Sequence, residues 1–217
     1  MNNTSSKERI LKKIRDALIH STPEPFTQIE GSEIYKPVTD TLEIRFAEEF
    51  TKINGQFVYC ESQTELINAF STLSIEKKWN KLVAWEDELL KIFNENSFSG
   101  ISSDTNIEDA DVGITLCESL IARTGSILMC SQQSSGRALS VFPPVHICVA
   151  FTDQLVDDIR DALNLLKEKY PDQTPSMINL ITGPSRTADI EKTLVLGAHG
   201  PKEIFVFLVE RVLNPES

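Results

Sequence analysis

Two runs decide the fold: His146-Ile147-Cys148-Val149-Ala150-Phe151 and Ile204-Phe205-Val206-Phe207-Leu208-Val209. A strand with one wet face alternates apolar and polar residues, whereas a run apolar at nearly every position is buried on both faces. Such runs are the signature of strands inside a parallel sheet with both faces covered. Working outward, Lys81-Leu82-Val83-Ala84-Trp85 and Met177 to Thr182 read the same way, so the four runs are expected to be mostly buried in one sheet. Between and before them lie helical stretches: Thr39 to Asn54, Thr64 to Lys77, Glu86 to Asn94, Asp153 to Tyr170 and Thr187 to Leu196. Phe57 to Cys60 is a further short strand. Residues 110–151 break the alternation. Asp111 to Leu116, Ser126 to Cys130 and His146 to Phe151 follow with little helix between, and read as a small antiparallel insertion. The class is therefore α/β, a mostly parallel sheet with helices on both faces, in a single domain over residues 39–217.

Residues 1–38 stand apart. Residues 6–20 form an amphipathic helix, with Ile10, Leu11, Ile14, Ala17 and Leu18 on one face. Pro23, Pro25, Gly31 and Pro37 then punctuate a linker. This helical arm has two readings: it packs back on its own domain, or it docks on another subunit and makes a homo-oligomer.

The chain has 217 residues, enough to bury roughly 70% of its unfolded surface. Lys and Arg total 21 against 32 Asp and Glu, for a net charge of −11. Nucleic acid and anionic membranes need a basic face, so neither is expected as the main partner. No apolar run approaches the roughly 20 residues of a spanning helix. The polar start, Met1 to Glu8, does not read as a signal peptide. Cys60, Cys117, Cys130 and Cys148 show no close pairing, and three sit in apolar runs. Buried reduced thiols and a cytoplasmic setting are expected. Closely spaced thiolates for an iron–sulfur cluster are absent, and three histidines without paired spacing make no zinc site.

Four segments carry candidate chemistry. In Leu180 to Ile190, Gly183, Ser185, Arg186 and Thr187 sit between a strand and an expected helix. Free helix N–H groups beside Arg186 would suit a phosphate or carboxylate there. The alternative is that the hydroxyls only cap and Gly-Pro only turns. In Glu118 to Ser126, read as strand, helical turn and strand, Glu118 follows a strand end as a candidate nucleophile or base. Thr124, Gly125 and Ser126 offer backbone donors, and an exposed carboxylate is the plainer reading of Glu118. In Ser134 to His146, Arg137 on a Gly/Ser loop is a candidate anion ligand. His146 is either an acid–base group or a structural histidine. In Gly197 to Pro201, His199 lies between glycines and is a tentative catalytic residue.

Taken in order, Ile121-Ala122-Arg123-Thr124-Gly125-Ser126, Phe142-Pro143-Pro144-Val145-His146-Ile147, Gly183 to Glu191 and Gly197-Ala198-His199-Gly200-Pro201 resemble the LUD (lactate-utilisation domain) family. Within it, they resemble the lactate-utilisation protein C branch. The resemblance implies a fold of the ribose-5-phosphate isomerase/CoA-transferase type. It also implies a role in oxidising L-lactate to pyruvate beside iron–sulfur partner proteins, with no cofactor bound by this chain alone. The family commonly carries an acidic residue before Thr-Gly-Thr, where this sequence has Arg123. Two functions follow: a subunit of a lactate-oxidising system that binds a small organic anion or phosphate-bearing ligand, or a free-standing isomerase/CoA-transferase-like enzyme.

Overall fold

The computed structural model describes residues 6–19, 40–103, 106–190, 193–197 and 199–211. The linker at 21–38, His20, and the side chains of Ile14, Ala17, Leu18 and Thr187 lie outside the described residues. The chain divides into two compact units, residues 1–39 and 40–217. The first contains helix α1 (Ser6–Ile19), on which Ile10 and Leu11 are exposed.

In the second unit, α2 (Leu42–Lys52) leads to β1 (Gln56–Cys60), α3 (Gln63–Lys77), β2 (Leu82–Ala84), α4 (Asp87–Glu95), β3 (Ile101–Ser102) and β4 (Val112–Thr115). Then come β5 (Ser119–Ile121), β6 (Ser126–Cys130), β7 (Val145–Phe151), β8 (Leu155–Val156), α5 (Ile159–Lys169) and β9 (Ile178–Ile181). β10 (Arg186–Ile190), β11 (Thr193–Leu196) and β12 (Glu203–Val209) complete the described elements. Helix starts follow local chemistry. Ser62 caps α3 by accepting from the Glu65 amide, and Asp158 caps α5 in a reciprocal box with Asp161.

Six strands pair in parallel in the order β1-β12-β7-β4-β2-β3. The apolar runs that decide the fold sit at its centre: all seven residues of β7 and six of the seven in β12 are buried. Period two splits β12 between two cores. Phe205, Phe207 and Val209 join Leu66 and Phe70 of α3 and Leu89 and Phe93 of α4. Ile204, Val206 and Leu208 face Phe46 and Phe50 of α2 with Leu120, Ile127 and Met129 of a second sheet. That second sheet has the order β8-β5-β6-β9, and α5 packs on its far side through Ala162 against Ile121 and Leu128. The architecture is a mostly parallel α/β sheet with helices, as expected.

Four expectations about elements are corrected. The run at 177–182 is not in the parallel sheet. β9 pairs antiparallel with β6 at an edge of the second sheet, and Ile178 and Leu180 are exposed. Its composition matches a buried strand, but an edge position leaves alternate side chains wet. Thr187 to Leu196 is not a helix: β10 and β11 form an antiparallel hairpin. β-branched Thr187, Ile190, Thr193 and Val195 restrict χ1 and favour extended backbone. Residues 110–151 are not one antiparallel unit either. β4 and β7 are parallel neighbours in the main sheet, and the chain leaves it between them to build β5 and β6 in the other. Ser119–Ile121, expected as a helical turn, is thus a strand.

Candidate functional site

The strand order places the site. After β2 the chain crosses to β3 on one side, and after β4 it crosses to β7 on the other. Adjacent parallel strands whose connections diverge leave a crevice outside their carboxyl ends, where open α/β sheets take ligands. A pocket of about 320 Å³ lies there. Glu86, Asp87 and Glu88 line it after β2, Leu116, Cys117 and Glu118 after β4, and Gln154 after β7. Gln132, Gln133 and Ser134 close it from the β6–β7 loop, and Lys169 and Tyr170 from the end of α5. A larger groove of about 390 Å³, beside α2 and β1, has a mostly apolar lining that includes Ile44, Ala47, Phe57 and Tyr59, without convergent polar groups.

Glu118 is the hub of the pocket. Its Oε2 accepts from Lys169 Nζ at 2.8 Å, and its Oε1 accepts from Tyr170 Oη at 3.0 Å and Cys130 Sγ at 3.2 Å. Its side chain is only 4% exposed, so it is not the loose surface carboxylate of the plainer reading. Burial, and next the Glu118 carboxylate, push the Tyr170 phenol up to about 12, which keeps it a hydrogen-bond donor. Glu86 sits opposite in function. Ser135 Oγ donates to its Oε1, whereas Oε2 is buried without a protein partner. Burial pushes its carboxyl above the usual range, against the hydroxyl of Ser135 and nearby amides, which favour the charged form. Gly136 makes this contact possible: a Cβ there would overlap the Cys130 carbonyl oxygen, so only glycine lets the loop fold back over β6.

The candidates named from the sequence separate into two groups. Glu118 lies in the pocket. Arg137 is exposed at the same end of the second sheet, where its guanidinium donates to Ser176 Oγ, but it does not line the pocket. Thr124, Gly125 and Ser126 form the turn joining β5 to β6, at the other end. Ser126 Oγ shares hydrogen bonds with Thr124 Oγ1 at 2.8 Å and Thr182 Oγ1 at 2.9 Å. Gly125 has φ +59°, and a Cβ there would overlap the backbone of Glu49 and Phe50 in α2. Gly183 lies against Ile53, and Arg186 donates to the Ile53 carbonyl at 2.9 Å. Ser185 bonds through its backbone to Gly197 and Pro201, next to exposed His199. Thus the two junctions do meet, around the end of α2. The helix N-terminus expected to hold an anion at Gly183–Thr187 does not exist, because β10 begins there.

Two further expectations resolve as structure. His146 is buried, bonds Thr115 Oγ1 at 2.8 Å, and is pushed down to about 4 by burial, so it is neutral. Arg123 pairs with Asp157 and Asp158 at 2.9 Å each, and Arg45 also meets Asp157. Arg123 is thereby tied to the start of α5, outside the pocket. Sequence reasoning missed Glu86, Ser135, Lys169 and Tyr170. Glu86 carried a usable signal, since it directly follows a strand-like run as Glu118 does. All four cysteines are buried and free. Among the described residues no group of three or more His, Cys, Asp or Glu is placed to hold a metal ion. Among them, too, no helix is long and apolar enough to cross a membrane.

An open parallel α/β sheet with a polar, small-molecule-sized pocket at its switch point defines the class. The chain belongs to the LUD domain family, whose model matches residues 44–209. It is similar to lactate utilization protein C of Macrococcus caseolyticus, at 30% identity over 224 residues that cover 94% of this chain and 96% of that one. Proteins of the same name from Bacillus licheniformis and Bacillus velezensis are 33% and 34% identical, over 58% of this chain. Those two matches span about half the length of the relative, 53% in each case. The crystal structure of a DUF162 family protein from Deinococcus radiodurans shares the fold. Its TM-score is 0.56 at 20% identity, over 77% of this chain and 96% of that one.

Proposed function

We propose that this chain serves lactate utilisation, as a subunit that binds a small organic acid while iron–sulfur partner proteins take the electrons of L-lactate oxidation to pyruvate. The observation that carries the site is the pocket at the β2/β4 switch point, with Glu118 fixed by Lys169 and Tyr170. Its volume, at the lower end of ligand pockets, suits a small acid. The Lys169 side chain is 60% exposed, so beside its pairing with Glu118 its ammonium can also face a substrate carboxylate. Oxidation of lactate releases two electrons, and protein side chains offer no acceptor for them, which supports a role for redox-carrying partners. The chain purified alone is expected to be colourless and iron-free, and to co-purify with iron–sulfur proteins from its native cell. Four buried free thiols support a cytoplasmic setting.

Deletion of the gene tests the reading. Growth on L-lactate as sole carbon source should fail and return with the wild-type gene, and unchanged growth would contradict it. A second reading draws on one observation: two carboxylates, Glu86 and Glu118, line one pocket in different environments, the arrangement acid–base enzymes use. On that reading the chain is a free-standing isomerase/CoA-transferase-like enzyme for a small carboxylate or sugar phosphate. Turnover of an acyl-CoA or sugar phosphate by the isolated chain would favour it.

A further inference from the structure

Within the pocket, one polar atom has no role in the fold. Glu86 is 9% exposed, and its Oε1 is taken by the Ser135 hydroxyl. Its Oε2 is buried without a hydrogen-bond partner, while the amides of Glu86, Ser135 and Leu116 lie near the carboxyl. Glu86 stands at the N-cap position of α4, yet its side chain makes no capping bond, so Oε2 is not taken up by the helix end. A buried polar atom without a partner is costly, and a ligand that supplies one removes the cost.

We propose that Glu86 is a ligand-binding residue of this pocket, and that its free Oε2 takes up a proton when a small monocarboxylic acid binds, so that Oε2–H donates to the carbonyl or hydroxyl oxygen of that acid. The inference rests on the reading of the pocket as the small-acid site, and adds what that acid must be. The groups facing Glu86 support the neutral form. Asp87 and Glu88 follow it on α4, Glu118 and Cys117 face it from the end of β4, and Cys148 faces it from β7. Tyr170 is a neutral donor, Lys169 is paired with Glu118, and Arg211 is paired with Glu88. Burial raises the Glu86 carboxyl further, outweighing the hydroxyl and amides that favour its charge. A ligand that holds this proton in place needs an acceptor oxygen. Asp87, with Glu88 and Glu118 whose charges are already matched by Arg211 and Lys169, disfavours a dianionic phosphate ester more than a monoanion, so substrate choice favours a 2-oxo or 2-hydroxy monocarboxylate over a sugar phosphate.

The test is a carbon-13 NMR pH titration of the full chain labelled at glutamate carboxyls, with Glu86→Gln to assign the resonance and pyruvate as probe. The Glu86 carboxyl should titrate above the ordinary value of about 4.3, and pyruvate should move its midpoint higher still. Because a ligand bound to the protonated form holds the proton, pyruvate affinity should fall as pH rises through that midpoint. Glu86→Gln keeps a donor and should bind pyruvate within about threefold of wild type, without that pH dependence. Glu86→Leu should bind about tenfold more weakly. An ordinary midpoint, or a raised one that pyruvate leaves unmoved, overturns the proposal. Growth on lactate plays no part in this readout. An ordinary midpoint thus removes Glu86's role and leaves the lactate reading standing, while growth on lactate without the gene removes the lactate reading and leaves a pyruvate-sensitive Glu86 standing.

Discussion

The pocket at the carboxyl ends of β2 and β4 and the turn cluster at the end of α2 are built on opposite principles. The cluster holds the residues that look most like motifs, Thr124-Gly125-Ser126 and Gly183 to Arg186. There they satisfy one another: Ser126 bonds Thr124 and Thr182, Arg186 bonds Ile53, and Gly125 is pressed onto α2. The pocket draws short stretches from several separate elements and leaves one buried oxygen unpaired. A short motif with closed hydrogen bonding is stabilising the fold. A scattered set with an open valence is placed to meet a ligand.

Breaking the cluster should therefore cost stability first. Gly125→Ala puts a Cβ into the backbone of Phe50 at φ +59°, and should lower unfolding free energy by about 4 kcal/mol in denaturant titration. The next effect belongs to neither region and calibrates both. His146 is neutral in the fold, pushed down to about 4 by burial from an ordinary 6.5. The unfolded chain takes up a proton below that ordinary value, and the folded chain does not. Its contribution is thus intact above about pH 6.5 and is lost as pH falls toward 4, by about 3 kcal/mol in all. Comparing wild type with His146→Gln from pH 7 to 4 should isolate that slope.

Much of the fold was legible because burial leaves a plain trace. β7 and β12 are apolar at consecutive positions since both their faces are covered, and α2 shows Leu42, Phe46 and Phe50 at helical spacing. β9 was not legible as an edge strand, because Ile178 and Leu180 are as apolar as core residues and only the topology exposes them. The β10–β11 hairpin was hidden by Ser185 and Thr187, which read equally well as helix caps. Of the site, Glu118 was visible from its place after a strand. Its partners Lys169 and Tyr170 were not, since they reach it only through the packing of α5 on the second sheet. Glu86 and Glu118 become neighbours because β2 and β4 are adjacent, which no local pattern states.

Smaller changes sharpen the contrast. Glu118→Gln removes the carboxylate that Lys169 and Tyr170 address, and should cost about 1–2 kcal/mol of stability. It should also lower the Tyr170 midpoint from about 12 while leaving it above 10, because burial remains the larger cause. Phenolate absorbance in an alkaline titration would show this as a difference from wild type. Arg186→Ala should change stability by no more than about 0.5 kcal/mol, since Arg186 is exposed and holds one backbone carbonyl. A loss several times larger in thermal unfolding would mean the cluster depends on that cation.

The most direct test places both regions in one assay. A strain lacking the gene is supplied with Glu86→Leu or Glu118→Gln for the pocket, and with Thr182→Ala or Arg186→Ala for the cluster. Folded protein is matched across the set, and growth on L-lactate is measured. The cluster variants should restore growth and the pocket variants should not. Restoration by the pocket variants, with failure of the cluster variants at equal protein level, would contradict the assignment of the site to the β2/β4 crevice.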